Sequence, residues 1–237
     1  MDSIVATMSD PRRLFTEKHG SYERFIRFVR HPQGIRAFFL RSPLLRSGLR
    51  VLDAGCGTGG VTLAIRAALV RRGLPPGSLH AFDLTPAMLE RVHQNLLIRG
   101  IAGVETAQAN VLALDVFPHG WTEYDLIASA SMLEYVPRPL FADALRSLRG
   151  RLRPEGHLIL FITRRNWLTR PLIGRWWRSN LYDADGLRDA FHRAGFSGCA
   201  FRRFCLLPRL VGLRHRGAAL TSATFKISAA TEFRQAH

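Results

Sequence analysis

At 237 residues, 47% of them hydrophobic, the chain is long and apolar enough to bury a sizeable core, which excludes disorder throughout. No apolar run reaches the roughly 18–20 residues of a membrane span, residues 1–10 lack a basic-then-apolar leader, and three cysteines make no disulfide framework, so a reduced, cytoplasmic setting is expected. The formal net charge of +16 attracts polyanions such as RNA or anionic lipid headgroups, and acidic small molecules.

Residues 1–20 are polar and weakly patterned. From Ser21, the residues Tyr22, Phe25, Ile26, Phe28 and Val29 recur at helical spacing, with Arg24, Arg27 and Arg30 opposite, and His31-Pro32 supplies the stop. A second short helix is expected over 33–41, and Tyr22 could reach a ligand from this helical cap. A strand over 50–53 ends in Asp53, and a helix over 59–72 follows a run of alternating glycines. A second strand over 78–82 ends at Asp83. Thr85 and Pro86 then open a helix as N-cap and first helical residue, with Met88, Leu89, Val92, Leu96 and Leu97 on its buried face. Further strands are expected over 104–107 and 124–129, then a helix over 138–152, a turn over 153–156 and a fifth strand over 157–163. Another amphipathic helix over 182–194 closes at Gly195, and two last strands are expected over 197–206 and 221–229.

Apolar strands alternating with helices imply a parallel sheet covered on both faces. The expected organisation is a helical cap over residues 1–48, an α/β core over 49–206, and a C-terminal segment over 207–237 holding a last strand.

The chemistry concentrates at Asp53-Ala54-Gly55-Cys56-Gly57-Thr58-Gly59-Gly60. Gly55-x-Gly57-x-x-Gly60 satisfies a dinucleotide fingerprint, which alone is weak. Asp53, two residues before the first glycine, would repel a pyrophosphate but attract a cationic amine. Asp83, ending the next strand, stands where a carboxylate accepts ribose hydroxyls. Together they fit a nucleoside with an amino-acid tail and no phosphates, its own carboxylate at the following helix N-terminus.

Val51-Leu52-Asp53-Ala54-Gly55-Cys56-Gly57-Thr58-Gly59 resembles the first motif of class I S-adenosylmethionine-dependent methyltransferases nearly letter for letter. The run 80–89 is similar to their second motif. Tyr124 to Ile127, with Met132-Leu133-Glu134-Tyr135-Val136, resembles the fourth-strand region of the ubiquinone/menaquinone-type branch, and 152–158 matches the turn into strand five. The resemblance implies a Rossmann-like, doubly wound, seven-stranded and mostly parallel sheet with N-terminal helices over the cofactor site. It implies S-adenosyl-L-methionine as cofactor, held by Asp53, Gly55, Cys56, Gly57, Gly59, Asp83, Leu84, Met88, Asn110, Val111 and Ser129. Two departures stand out. Asn110 replaces a frequent acid, leaving its amide oxygen to accept from adenine, and Tyr135 replaces a frequent histidine.

The sulfonium is already activated, so aligning the acceptor supplies much of the rate. Glu134 and Tyr135, just past strand four, are the candidate catalytic residues. No metal-ligand spacing appears, so no metal is expected. The acceptor is expected to be a small or lipid-like molecule methylated at O, N or C, with an RNA methyltransferase and a non-catalytic cofactor-binding partner as alternatives. The segment 164–178, with Trp167, Trp176 and Trp177 among arginines, suits a lid over the substrate, stacking on a base, a seat on an anionic membrane surface, or a packed helix with an arginine face. The arginine-rich faces allow RNA contact as well. A second reading of the charge is ordinary solvated arginine, since lysine occurs only at Lys18 and Lys226.

Overall fold

The computed structural model describes residues 31–162, 180, 182–203 and 229–235. The helix expected from Ser21, with Tyr22, and the Trp/Arg segment over 164–178 lie outside the described residues.

Helix α1 (His31–Arg41) precedes β1 (Arg50–Ala54), α2 (Gly60–Arg71), β2 (Ser78–Asp83), α3 (Pro86–Ile98) and β3 (Val104–Gln108). A loop leads to β4 (Tyr124–Ala130), and short 3-10 turns at Leu133–Tyr135 and Arg138–Leu140 lead to α4 (Phe141–Arg149). Then come β5 (Leu152–Ile162), α5 (Ala184–Arg193), β6 (Phe196–Arg203) and β7 (Ala229–Gln235). The strands lie in the order β3-β2-β1-β4-β5-β7-β6. The first five run parallel, and β7 is antiparallel to both β5 and β6. The expected doubly wound, mostly parallel α/β sheet is therefore present. Strand order reverses between β1 and β4, so the crevice at their C-terminal ends is where such sheets take ligands.

Burial on both faces follows from strand alternation. Val51, Leu79, Leu126 and Ile159 pack under α1 and α2 against Phe39, Ile65 and Leu69. Their chain neighbours Leu52, Ile127, Leu158 and Leu160 face the other way, against Phe141, Leu145, Leu187 and Phe191. Helix α1 reaches the C-terminal end of β5, where the Phe38 and Phe39 rings meet Phe161 edge-on at 5.4 and 5.8 Å. That is the end of the sheet at which the glycine loop lies.

Three expected boundaries need correction. The helix over 138–152 is a 3-10 turn followed by the shorter α4. Residues 153–156 do not turn into the strand. Leu152 already pairs with Tyr124, and the extra residues form an irregularity between Tyr124 and Leu126. Glu155 takes a left-handed φ of 63° there. A Cβ on Gly156 would lie 2.8 Å from the Tyr124 carbonyl oxygen, which explains a glycine at the closest approach. The final strand is β7 at Ala229–Gln235, not 221–229, which apart from Ala229 lies outside the described residues.

At the opposite end of the sheet from the glycine loop, Asp125 is 8% exposed and gathers several cationic or N–H donors. Its Oδ1 accepts from Arg46 at 2.8 Å and pairs with Arg153 at 2.7 Å, and its Oδ2 accepts from the Arg50 backbone N–H at 2.8 Å. The arginines are half exposed, so removing the acid strands two partly buried charges rather than two fully buried ones. Asp125→Ala is expected to lower the unfolding free energy by about 3 kcal/mol, read by urea titration.

Candidate functional site

The loop after β1 turns through three left-handed residues, Gly55, Gly57 and Gly59, at φ 71°, 53° and 90°. The surroundings of the three differ. A Cβ on Gly55 would fall 2.3 Å from the Met132 Cβ, and one on Gly59 would fall 2.6 Å from a Val92 methyl. Around Gly57 there is nothing within 4 Å. Protein therefore closes on two of the glycines, while the third opens onto free space where a ligand can lie against the backbone.

Strand β2 fastens this loop. The Cys56 N–H donates to the Phe82 carbonyl at 2.9 Å. The Gly57 N–H donates to Asp83 Oδ2 at 2.9 Å, and the Thr85 N–H donates to Asp83 Oδ1 at 2.9 Å. Burial raises the Asp83 carboxyl above its ordinary range, and the bonds from Thr85 and Gly57 partly offset it. Each oxygen keeps acceptor capacity beyond its single bond, so the residue suits a pair of ribose hydroxyls.

Asp53 is placed differently from the expectation. It has no exposed surface, and its Oδ2 accepts from the Thr62 N–H at 2.8 Å and the Thr62 hydroxyl at 2.6 Å. Its Oδ1 has no hydrogen-bond partner. Burial pushes its carboxyl up to about 7, against the lowering effect of the Thr62 bonds and with a further rise from the Asp83 charge. Asp53 is thus enclosed beneath the loop rather than lying open at its surface.

Other expected contacts are also redirected. The Ser129 hydroxyl, 1% exposed, donates to the Ala54 carbonyl at 2.7 Å and ties β4 to β1 instead of facing a ligand. Cys56 turns its side chain inward onto Ala81, Val92 and Leu96, and burial holds its thiol well above the usual range. Asn110 uses its amide oxygen on the Leu112 N–H at 3.0 Å, closing its own turn, so one of its acceptor sites is already spent. Met88 and Val111 are buried and Leu84 is half-buried, which gives apolar walls on the β2 and β3 side of the loop.

The turn after β4 joins the site through Met132, whose side chain sits against Gly55. Glu134, next along, is 2% exposed, whereas Tyr135 is half-buried. Of the two candidate catalytic residues, Glu134 is therefore enclosed in the turn and Tyr135 is the more accessible. Asn180, which periodicity did not single out, braces that turn: its N–H donates to the Glu134 carbonyl at 2.7 Å and its amide to the Val136 carbonyl at 2.8 Å. Thr62 was equally unmarked. A hydroxyl in the first turn of the helix after the loop was the available signal for it.

Residues 51–156 match the family described as a methyltransferase domain. Ubiquinone biosynthesis O-methyltransferase of Marinobacter nauticus is 29% identical over 134 residues, covering 56% of this chain and 51% of that protein. Ubiquinone/menaquinone biosynthesis C-methyltransferase UbiE of Azotobacter vinelandii is 38% identical over 117 residues, covering 49% of this chain and 43% of its own. The chain thus spans about half the length of these relatives or less. Magnesium protoporphyrin IX methyltransferase from Synechocystis PCC 6803 with bound SAH shares the fold, with a TM-score of 0.65 at 15% identity, covering 99% of this chain and 100% of that one. Fold, glycine loop and family match agree in making residues 51–156 similar to a methyltransferase domain.

Gly55→Ala is expected to destabilise the protein by roughly 3 kcal/mol, from the left-handed φ and the collision together. Gly57→Ala should cost only about 1 kcal/mol, from φ alone. Met132→Ala should not rescue Gly55→Ala, because the colliding atom at 2.3 Å is the Met132 Cβ itself. Chemical denaturation of the three variants checks this order.

Proposed function

We propose that this protein is an S-adenosylmethionine-dependent methyltransferase acting on a small or lipid-like acceptor. The observation that carries the reading is the loop closed by Met132 and Val92 at Gly55 and Gly59, open at Gly57, with Asp83 beside the opening. Asp83 would accept the ribose hydroxyls, the backbone at Gly57 would face the amino-acid tail, and Leu84, Met88 and Val111 would flank the adenine. When bound, the cofactor would supply an electrophilic methyl carried on a sulfonium sulfur. The chain's task is then to orient the acceptor and keep water out. Tyr135, half-buried after β4, is the residue proposed to touch the acceptor. The relatives named for ubiquinone biosynthesis support a small, ring-bearing acceptor over a macromolecule.

The arginines with described partners also favour this class over RNA. The Arg72 guanidinium bridges the Ser42 and Leu45 carbonyls at 2.7 and 3.0 Å, and Arg50 donates to the Gly120 and Thr122 carbonyls at 2.6 and 3.0 Å. Such forks support loop backbone, work that a lysine's point charge does poorly.

Calorimetric titration with S-adenosylmethionine, followed by labelled-methyl transfer to phenols, quinone precursors, amines and RNA, tests the proposal. Binding with label in a small molecule is expected. No binding at millimolar cofactor overturns the activity, and label recovered only in RNA overturns the acceptor class. Asp83→Ala should weaken cofactor binding by roughly 1–3 kcal/mol, through loss of charge-assisted hydrogen bonds.

A further inference from the structure

Thr62 directs both its backbone N–H and its hydroxyl to one oxygen of Asp53, at 2.8 and 2.6 Å. It lies in the first turn of α2, where backbone N–H groups have no helical partner, and the N-cap Gly59 offers no side-chain cap. Asp53 therefore caps α2 from across the glycine loop, with its charge at the positive end of the helix. It has no exposed surface, and its Oδ1 has no hydrogen-bond partner.

The titratable groups that share this space are Asp83 at the end of β2 and Cys56 in the loop, both acids. Among the described residues no basic side chain bonds to Asp53. A carboxylate so enclosed, with acids for neighbours, keeps its charge only if hydrogen bonds hold it. The Thr62 pair supplies them, aided by the helix end.

We propose that Thr62 is a positioning residue for the cofactor: it fastens Asp53 beneath the glycine loop and keeps it ionised, so that a buried negative charge favours a cationic ligand on the loop's open side. The proposal rests on the S-adenosylmethionine reading above, since that ligand carries a sulfonium and an ammonium against one carboxylate. No contact is required, because a buried charge acts across the few ångströms of the loop.

The sign of the pH dependence follows. A proton must leave Asp53, held near 7, before its charge is available, so affinity should rise as the pH climbs through that value. The expected gain is about tenfold between roughly pH 6 and pH 8. Thr62→Val removes the hydroxyl bond to the carboxylate and raises the carboxyl further. Its midpoint should move up by about one pH unit, and its affinity near neutral pH should fall about fivefold. Thr62→Ser should restore the original profile, and Asp53→Asn should abolish the step.

The experiment is calorimetric titration of S-adenosylmethionine into the full chain and these three variants from about pH 5.5 to 8.5, with melting curves for each. The ligand's own titration is common to all four proteins and cancels in the comparison. A Thr62→Val profile superimposed on the unsubstituted one overturns the proposal, as does a step that survives in Asp53→Asn. If Thr62→Val fails to fold, Thr62→Ala, which lacks the same hydroxyl, takes its place with the same expected shift. Absence of binding at every pH overturns the methyltransferase reading and this proposal with it. Binding without the step overturns this proposal alone.

Discussion

Two backbone N–H groups, those of Gly57 and Thr85, converge on the Asp83 carboxylate, each 2.9 Å from its own oxygen. One belongs to the loop after β1 and the other precedes α3, so a single side chain at the end of β2 fixes two segments that have no ladder of their own. The loop needs such a restraint because three of its residues are glycines, whose backbone freedom is the largest to be lost on folding. Val92 on α3 presses on Gly59, and Met132 after β4 presses on Gly55. The cradle is thus clamped from β2, α3 and β4 at once, and its free side is what remains.

The basic character of the chain divides along the sheet. At the N-terminal ends of the strands Arg46 and Arg153 share the Asp125 carboxylate, while Arg50 and Arg72 reach loop carbonyls. On the helices Arg188 and Arg193 pair with Asp185 and Asp189 within their own turns. Such surface pairs add little stability, but they show charge dispersed over ordinary structural tasks. Among the described residues, these arginines are therefore engaged with the protein's own acids and carbonyls.

Much of the fold was legible in the sequence because buried parallel strands read as apolar runs and α3 announces itself with Thr85-Pro86. The misplaced features share a cause. Arg153 to Gly156 carries the residues of a turn, yet its pairing is decided by Tyr124 on another strand. The last strand, alanine-rich at its start and mixed in polarity, looks like many segments that form no sheet; its place depends on β5 and β6. Within the site the directions of several polar side chains were not legible. Asp53, Ser129 and Asn110 are polar residues beside a ligand loop, but each bonds first to the protein's own backbone or hydroxyls. A short polar side chain reads the same in sequence whether it faces a ligand or caps a helix, and only tertiary placement separates the two.

The position of β7 sets an order on assembly. Among the described residues β6 pairs with β7, and β7 in turn pairs with β5. The strand that comes sixth in the chain thus has no seat in the sheet until residues 229–235 have emerged and slipped in beside β5. Helix α5 already packs on the parallel half through Leu187 and Phe191, so it is β6 alone that depends on the chain behind it. Such long-range pairing is slow to form and leaves the β5 edge uncovered in the interval. The half of the sheet that carries the glycine loop is continuous in sequence, and the antiparallel half joins it only through β7.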